Sequence, residues 1–90
     1  MRARSMDNII QINSRAEREL KRLDRTTKNR IVKALLALIK DSRPPGCLKV
    51  KTAEELWRIR VGDWRVGYEI DDATRTVTIV TIGHRREFYD

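Results

Sequence analysis

The stretch Trp57-Arg58-Ile59-Arg60-Val61-Gly62-Asp63-Trp64-Arg65-Val66-Gly67-Tyr68 constrains this chain more than any other. Along it, apolar and cationic residues alternate with period two, the period at which successive strand side chains point to opposite faces. A strand here puts Trp57, Ile59 and Val61 on one face and Arg58 and Arg60 on the other. Gly62-Asp63 is a two-residue gap of the kind that closes a hairpin. Arg65 then returns on the next strand among Trp64, Val66 and Tyr68. Three arginines on one sheet face are costly to bury and well shaped for gripping phosphate. They are therefore expected at the surface, with nucleic acid as the first partner to consider.

The rest of the chain supplies a cover for the apolar face. Asp7 to Asn13, with Ile9, Ile10 and Ile12, reads as a short first strand. Ser14-Arg15-Ala16-Glu17 has the spacing of a capping box, and Ala16, Leu20 and Leu23 mark one face of a short helix. Asp24 caps a second helix, whose stripe of Ile31, Val32, Leu35, Leu36 and Ile39 recurs at helical spacing. Pro44-Pro45-Gly46 stops it. Beyond that point the period becomes two. Strands are expected over Leu48–Lys51, Glu55–Val61, Trp64–Ile70 and Thr76–Ile82, with hairpin connections at Gly62-Asp63 and Asp71–Thr74. The order β-α-α-β-β-β-β gives an α+β fold, two N-terminal helices packed on one face of a small antiparallel sheet.

A chain of 90 residues makes one domain, 1–90, with the basic segment 1–6 as a possible extension. Lys and Arg outnumber Asp and Glu by 20 to 13, for a net charge of +7, which favours an anionic partner. The single cysteine, Cys47, excludes an intramolecular disulfide and a cysteine-based zinc site, and suits a reducing, cytoplasmic compartment. No acidic or His/Cys cluster has ligand spacing, so no metal and no cofactor is expected. No apolar run approaches the ~20 residues of a membrane span.

With Gly83-His84-Arg85-Arg86-Glu87-Phe88-Tyr89 near the C-terminus, the Leu48-Lys49 strand entry, the helical opening Ala16–Asp24 and the run Leu56–Tyr68, the chain resembles the RelE/ParE toxin superfamily of bacterial and archaeal toxin–antitoxin systems. The resemblance covers nearly the whole domain. RelE-like members enter the ribosomal A site and cut mRNA by metal-free attack of the ribose 2′-OH on the adjacent phosphate. ParE-like members share the fold but inhibit DNA gyrase without being enzymes.

On the RelE branch, the resemblance implies a ribosome-dependent endoribonuclease that halts translation, with the ribosome, mRNA and a neutralising antitoxin as partners. The antitoxin is expected to bring a partly disordered segment that folds over the basic face. By position, Arg60 and Arg65 are expected to clamp the scissile phosphate, Arg85 to steady the transition state or leaving oxygen, and Tyr89 to stack on or orient a base. Lys49, Lys51, Arg58 and His84 are expected RNA contacts. The chain departs from the best-known RelE pattern in having arginines where lysines stand at Arg58 and Arg60. Arginine stays protonated and cannot act as general base, so the base lies elsewhere or charge stabilisation carries most of the rate. Histidine is the usual acid–base side chain near neutral pH, which makes His84 a candidate, with Glu87 near it in sequence.

The residues also support plainer readings. Arg58 and Arg60 suit a solvated sheet face paired with Asp63, Glu69 and Asp71, and Arg65 suits an ion pair holding the hairpin. His84 suits a structural hydrogen bond, and Tyr89 packing at the sheet edge. Trp57, Trp64 and Tyr68 read as core, and Lys28, Arg30 and Lys33 as a solvated helix face or, alternatively, a ribosomal RNA contact. A basic nucleic-acid-binding module without toxicity is a third reading of the whole chain.

Overall fold

The alternating run becomes an antiparallel pair, β3 (Leu56–Val61) and β4 (Trp64–Asp71). In this computed structural model, which describes residues 7–50 and 55–87, the pair sits inside a five-stranded sheet. Before it come β1 (Ile9–Ile12), α1 (Ser14–Lys21), α2 (Arg25–Lys40) and β2 (Leu48–Lys49); after it come β5 (Thr76–His84) and one 3-10 turn over Arg85–Glu87. The α+β architecture and element order are those expected from the sequence.

The sheet order is β1-β5-β4-β3-β2. Every neighbouring pair is antiparallel except β1 and β5, which run parallel with Ile10 opposite Val77 and Ile12 opposite Ile79. The first strand thus completes the sheet beside the last, a pairing no local pattern reveals. Gly62, at φ +63°, occupies the first central position of the β3–β4 turn, as a type II′ hairpin requires. The β4–β5 turn is held by Asp71, whose carboxylate accepts from the Ala73 and Thr74 amides at 3.0 and 3.2 Å.

The apolar face is closed by the helices, α1 against β5 and α2 across β1 and β3. Ala16, Ile31, Leu35 and Leu38 from the helices meet Ile59, Val66, Tyr68, Val77, Ile79 and Ile82 from the sheet. Burying an aliphatic side chain of this kind contributes about 1.5–3 kcal/mol, so this layer is the principal source of stability. Tyr68 is fully buried, and its hydroxyl donates to the Ser42 carbonyl at 2.9 Å. That bond ties the segment after α2 to the sheet, and burial pushes the phenol's pKa well above its ordinary value.

Several local expectations shift. The α1 cap is Asn13, not Ser14: its side chain accepts from the Ala16 amide at 2.9 Å, and Ser14 is already helical. Asp24 caps α2 as expected, and its hydrogen bond with Thr27 lowers the carboxyl pKa. The buried line of α2 is Ile31, Leu35 and Leu38, while Val32 and Leu36 lie exposed. The apolar stripe is wider than the sheet can cover, and the tilt of α2 over β1 and β3 selects which part turns inward. That helix ends at Lys40, ahead of the prolines.

Candidate nucleic-acid interface

Cross-strand register decides which side chains share a face. Arg60 stands opposite Arg65, Arg58 opposite Gly67, and Arg65 opposite Gly83. Since directly opposed residues project to the same side, all three arginines occupy the face away from the helices. The sequence reading of that face holds, but their exposure does not follow it. Arg58 is 2% exposed and Arg65 9% exposed, against the expectation that guanidiniums so placed stay in solvent. Two things make their burial tolerable. Gly67 and Gly83 offer no side chains to compete for the space beside them, and the weakly hydrated guanidinium bonds readily to carbonyl oxygens. Arg65 does so directly: its Nη1 donates to the Trp64 carbonyl at 3.1 Å and the Gly62 carbonyl at 3.3 Å. It therefore braces the β3–β4 turn from within the hairpin through these two carbonyls.

Arg60 is the exposed member of the central trio. Arg85 joins from the end of β5: its amide donates to the Asp63 carbonyl at 2.7 Å, and its Nε lies 3.8 Å from Asp63 Oδ1. The hairpin tip thus fixes the start of the 3-10 turn, and Arg60, Arg65 and Arg85 gather at one end of the sheet.

Two other expected site residues, Lys49 and His84, lie elsewhere. Leu48, not Lys49, stands opposite Arg58; Lys49 pairs with Trp57 and projects to the other side. His84 is opposite Trp64, also on the helix side, with ring centroids 5.5 Å apart in an edge-on contact at 81°. Its Nδ1 accepts from the Arg86 amide at 3.3 Å. Lys51 and Tyr89 lie outside the described residues.

The opposite end of the same sheet face is acidic. An open depression of about 770 Å³ there is lined by Glu55, Glu69, Asp71 and Asp72 together with Thr74 and Thr78. Carboxylates at that end and guanidiniums at the other give the face a polarity that directs an anion to the hairpin end. Among the described residues, no group of three or more His, Cys, Asp or Glu is placed to hold a metal ion.

Two residues make long-range contacts that the sequence does not reveal. Glu19 of α1 accepts from the Ile82 amide at 2.7 Å and from the Thr81 hydroxyl at 3.1 Å. It thereby holds β5 just ahead of Arg85. Arg30 of α2 lies over Gly62: a Cβ there would meet its Nη2 at 3.0 Å and its Nη1 at 3.1 Å.

A family model described as the ParE toxin of the type II toxin–antitoxin system, parDE, matches residues 10–89. The chain belongs to this family. Solved structures place the ParE-family chain within the RelE/ParE superfamily fold. It is similar to the archaeal RelE–RelB complex from Pyrococcus horikoshii, at a TM-score of 0.79 and 20% identity over 92% of this chain and 100% of that one. A toxin–antitoxin complex from Mycobacterium tuberculosis matches at 0.75 and 23% identity, over 89% and 100% of the two chains. The isolated Escherichia coli RelE toxin matches at 0.74 and 19% identity, over 86% and 83%. Among curated protein sequences, none matches the chain. As a member of the superfamily, it is a toxin of a type II toxin–antitoxin system, and no helix among its described residues is long and apolar enough to cross a membrane.

Proposed function

We propose that this ParE-family toxin is a ribosome-dependent endoribonuclease of the RelE kind, cutting mRNA in the A site and so arresting translation in the cytoplasm. The observation that carries the reading is the convergence of Arg60, Arg65 and Arg85 at one end of the sheet, with Arg65 and Arg85 anchored to the same two-residue turn. Attack of a ribose 2′-OH on the neighbouring phosphate builds negative charge on the phosphorane and then on the departing 5′-oxygen. Fixed guanidiniums stabilise that charge without having to reorganise as it develops.

Arg60 is the exposed group suited to meet the phosphate, Arg65 sets the rigidity of the hairpin that carries it, and Arg85 approaches from the turn side. None of the three abstracts a proton at ordinary pH. His84 projects from the opposite side of the sheet, so the arginines contribute charge stabilisation and positioning, with Tyr89 kept as the proposed base-stacking residue. A cognate antitoxin neutralises the toxin by laying an acidic, initially disordered segment over this end. The RelE structures solved together with RelB support that partner.

Primer extension on a defined mRNA, with purified toxin and programmed ribosomes, tests the reading. Cuts within the A-site codon, absent without ribosomes and lost in Arg60→Ala, are the expected result. Arg60 is the better probe than Arg65, whose removal also unties the hairpin.

The family description favours a second reading, inhibition of DNA gyrase by binding alone. A folded, growth-arresting toxin that leaves ribosome-bound mRNA intact but blocks gyrase supercoiling of relaxed plasmid would replace the nuclease reading with this one.

A further inference from the structure

The β3–β4 turn collects arginines from three separate elements. Arg65 of β4 bonds the Gly62 carbonyl, the Arg85 amide bonds the Asp63 carbonyl, and the guanidinium of Arg30 reaches from α2 to lie over Gly62. Three cations in and beside the helix layer are occupied by carboxylates: Arg15 with Glu19, Lys40 with Asp7, and Arg43 with Asp72. Arg30 is distinguished by its place against the turn. It is exposed, its guanidinium lies against Gly62, and among the described residues that guanidinium makes no hydrogen bond or ion pair.

We propose that Arg30 belongs to the RNA-binding surface, so that the phosphate backbone is gripped around the end of the sheet and not only across its face. The choice of RNA as the anion rests on the nuclease reading above. Exposed Arg60 stands on the sheet face and exposed Arg30 comes from the helix layer, so guanidiniums flank the hairpin end on both sides while Arg65 braces it from within. Separated guanidiniums on the two sides of the hairpin suit successive phosphates of one strand, each neutralised by its own contact. Gly62 serves this arrangement twice, through its positive φ and through the open space that lets a planar guanidinium lie against the backbone.

The test is binding of the full chain to a fluorescein-labelled single-stranded RNA oligonucleotide, followed by anisotropy across a KCl series. Each phosphate contact on a single strand contributes about 0.7 to the slope of log K against log salt. Arg30→Gln is expected to weaken binding and reduce that slope by about 0.7. Arg30→Lys, which keeps the charge, is expected to restore the slope. Lys40→Gln removes the same charge from the same helix about 15 Å away and is expected to leave the slope unchanged.

An unchanged slope in Arg30→Gln overturns the proposal. So does an equal loss in Lys40→Gln, which would mean bulk charge alone, or a failure of Arg30→Lys to restore the slope, which would mean a structural role. Binding to poly-glutamate but not to RNA overturns it in favour of an acidic protein partner. The slope is read without ribosomes and without cleavage. A toxin that binds RNA through Arg30 yet never cuts mRNA therefore removes the nuclease reading and leaves this inference standing.

Discussion

Glu19 and Ile82 are 63 residues apart in sequence and joined by a 2.7 Å hydrogen bond, carboxylate to backbone amide. The bond sits where β5 has run past the end of β1. Pairing between those strands stops at Ile12 and Ile79, and β5 is irregular just beyond: Gly67 opposes Thr81 and Tyr68 opposes Ile79, leaving Val80 as an extra residue. A bulge bends its strand and leaves ladder groups unmatched. Glu19 takes over the edge that β1 has vacated and holds the segment leading to Arg85. Glu19→Ala should cost about 1.5–3 kcal/mol, the range for a hydrogen bond to a charged group. Glu19→Gln should cost less, because its amide oxygen still accepts. Urea unfolding gives the totals, and hydrogen exchange at the Ile82 amide shows whether the loss is local.

Gly62→Ala should destabilise by about 1–2 kcal/mol, since an alanine at φ +63° is strained and its methyl meets the Arg30 guanidinium. The two contributions separate in a double-mutant cycle. In an Arg30→Ala background only the backbone strain remains, so the penalty should shrink. An identical penalty in both backgrounds would show that the guanidinium yields freely. Gly46→Ala is the useful comparison, because Gly46 has φ +92° and nothing within 4 Å of where the added methyl would sit, leaving strain alone.

Tyr68→Phe should cost about 1 kcal/mol through loss of the bond to the Ser42 carbonyl. It should also change the alkaline response. Burial raises the phenol's pKa above its ordinary 10.0, so the folded state favours the neutral form. The resulting stability is complete below pH 10.0 and is lost progressively as pH rises toward the folded value. Melting temperatures from pH 8 to pH 11 should therefore fall more steeply for the native protein than for Tyr68→Phe. Parallel curves would mean that Tyr68 ionises without cost to the fold.

Acid should act through Asp72. Arg43 holds it with two hydrogen bonds, at 3.2 and 3.1 Å, while also lying 5.0 Å over the Trp57 ring. The guanidinium lowers the Asp72 pKa below its ordinary 3.8. Its contribution is present above pH 3.8 and disappears as pH falls through the lower folded value. Asp72→Asn should be less stable than the native chain near neutrality and converge with it in strong acid. Because the pair is exposed, added salt should narrow the gap at neutral pH.

What could be read from the sequence, and what could not, divides by range. The alternation from Trp57 to Tyr68, the Gly62-Asp63 turn and the Asp24 cap are local signals, and each appears in the fold as expected. Placing Arg58, Arg60 and Arg65 on one face needs only the strand period and the turn length, so that too was legible. Burial of Arg58 and Arg65 was not, because alternation assigns a side chain to a face without saying what stands beside it. The exposure of Val32 and Leu36 has the same origin: helical spacing identifies an apolar stripe but not the tilt that selects part of it. Glu19 acts on partners far along the chain and nothing in its immediate neighbours marks it, while the cationic helix face that carries Arg30 was legible but its approach to Gly62 was not. Lys49 went to the opposite side from Arg58 because Leu48 holds the paired position, a register that a two-residue strand hardly specifies.

The parallel pairing of β1 with β5 also has a consequence during synthesis. Ile9 waits for Thr76 before it has a strand neighbour, and β4 keeps one bare edge until β5 emerges. Contacts so distant in sequence come late, after the entropy of closing the intervening chain has been met. The hydrophobic layer cannot close over a growing polypeptide, and Arg85, which follows β5 directly, reaches the turn only in that same step. The arginine-bearing end of the sheet is therefore assembled only after β5 has emerged, as one of the last events of folding.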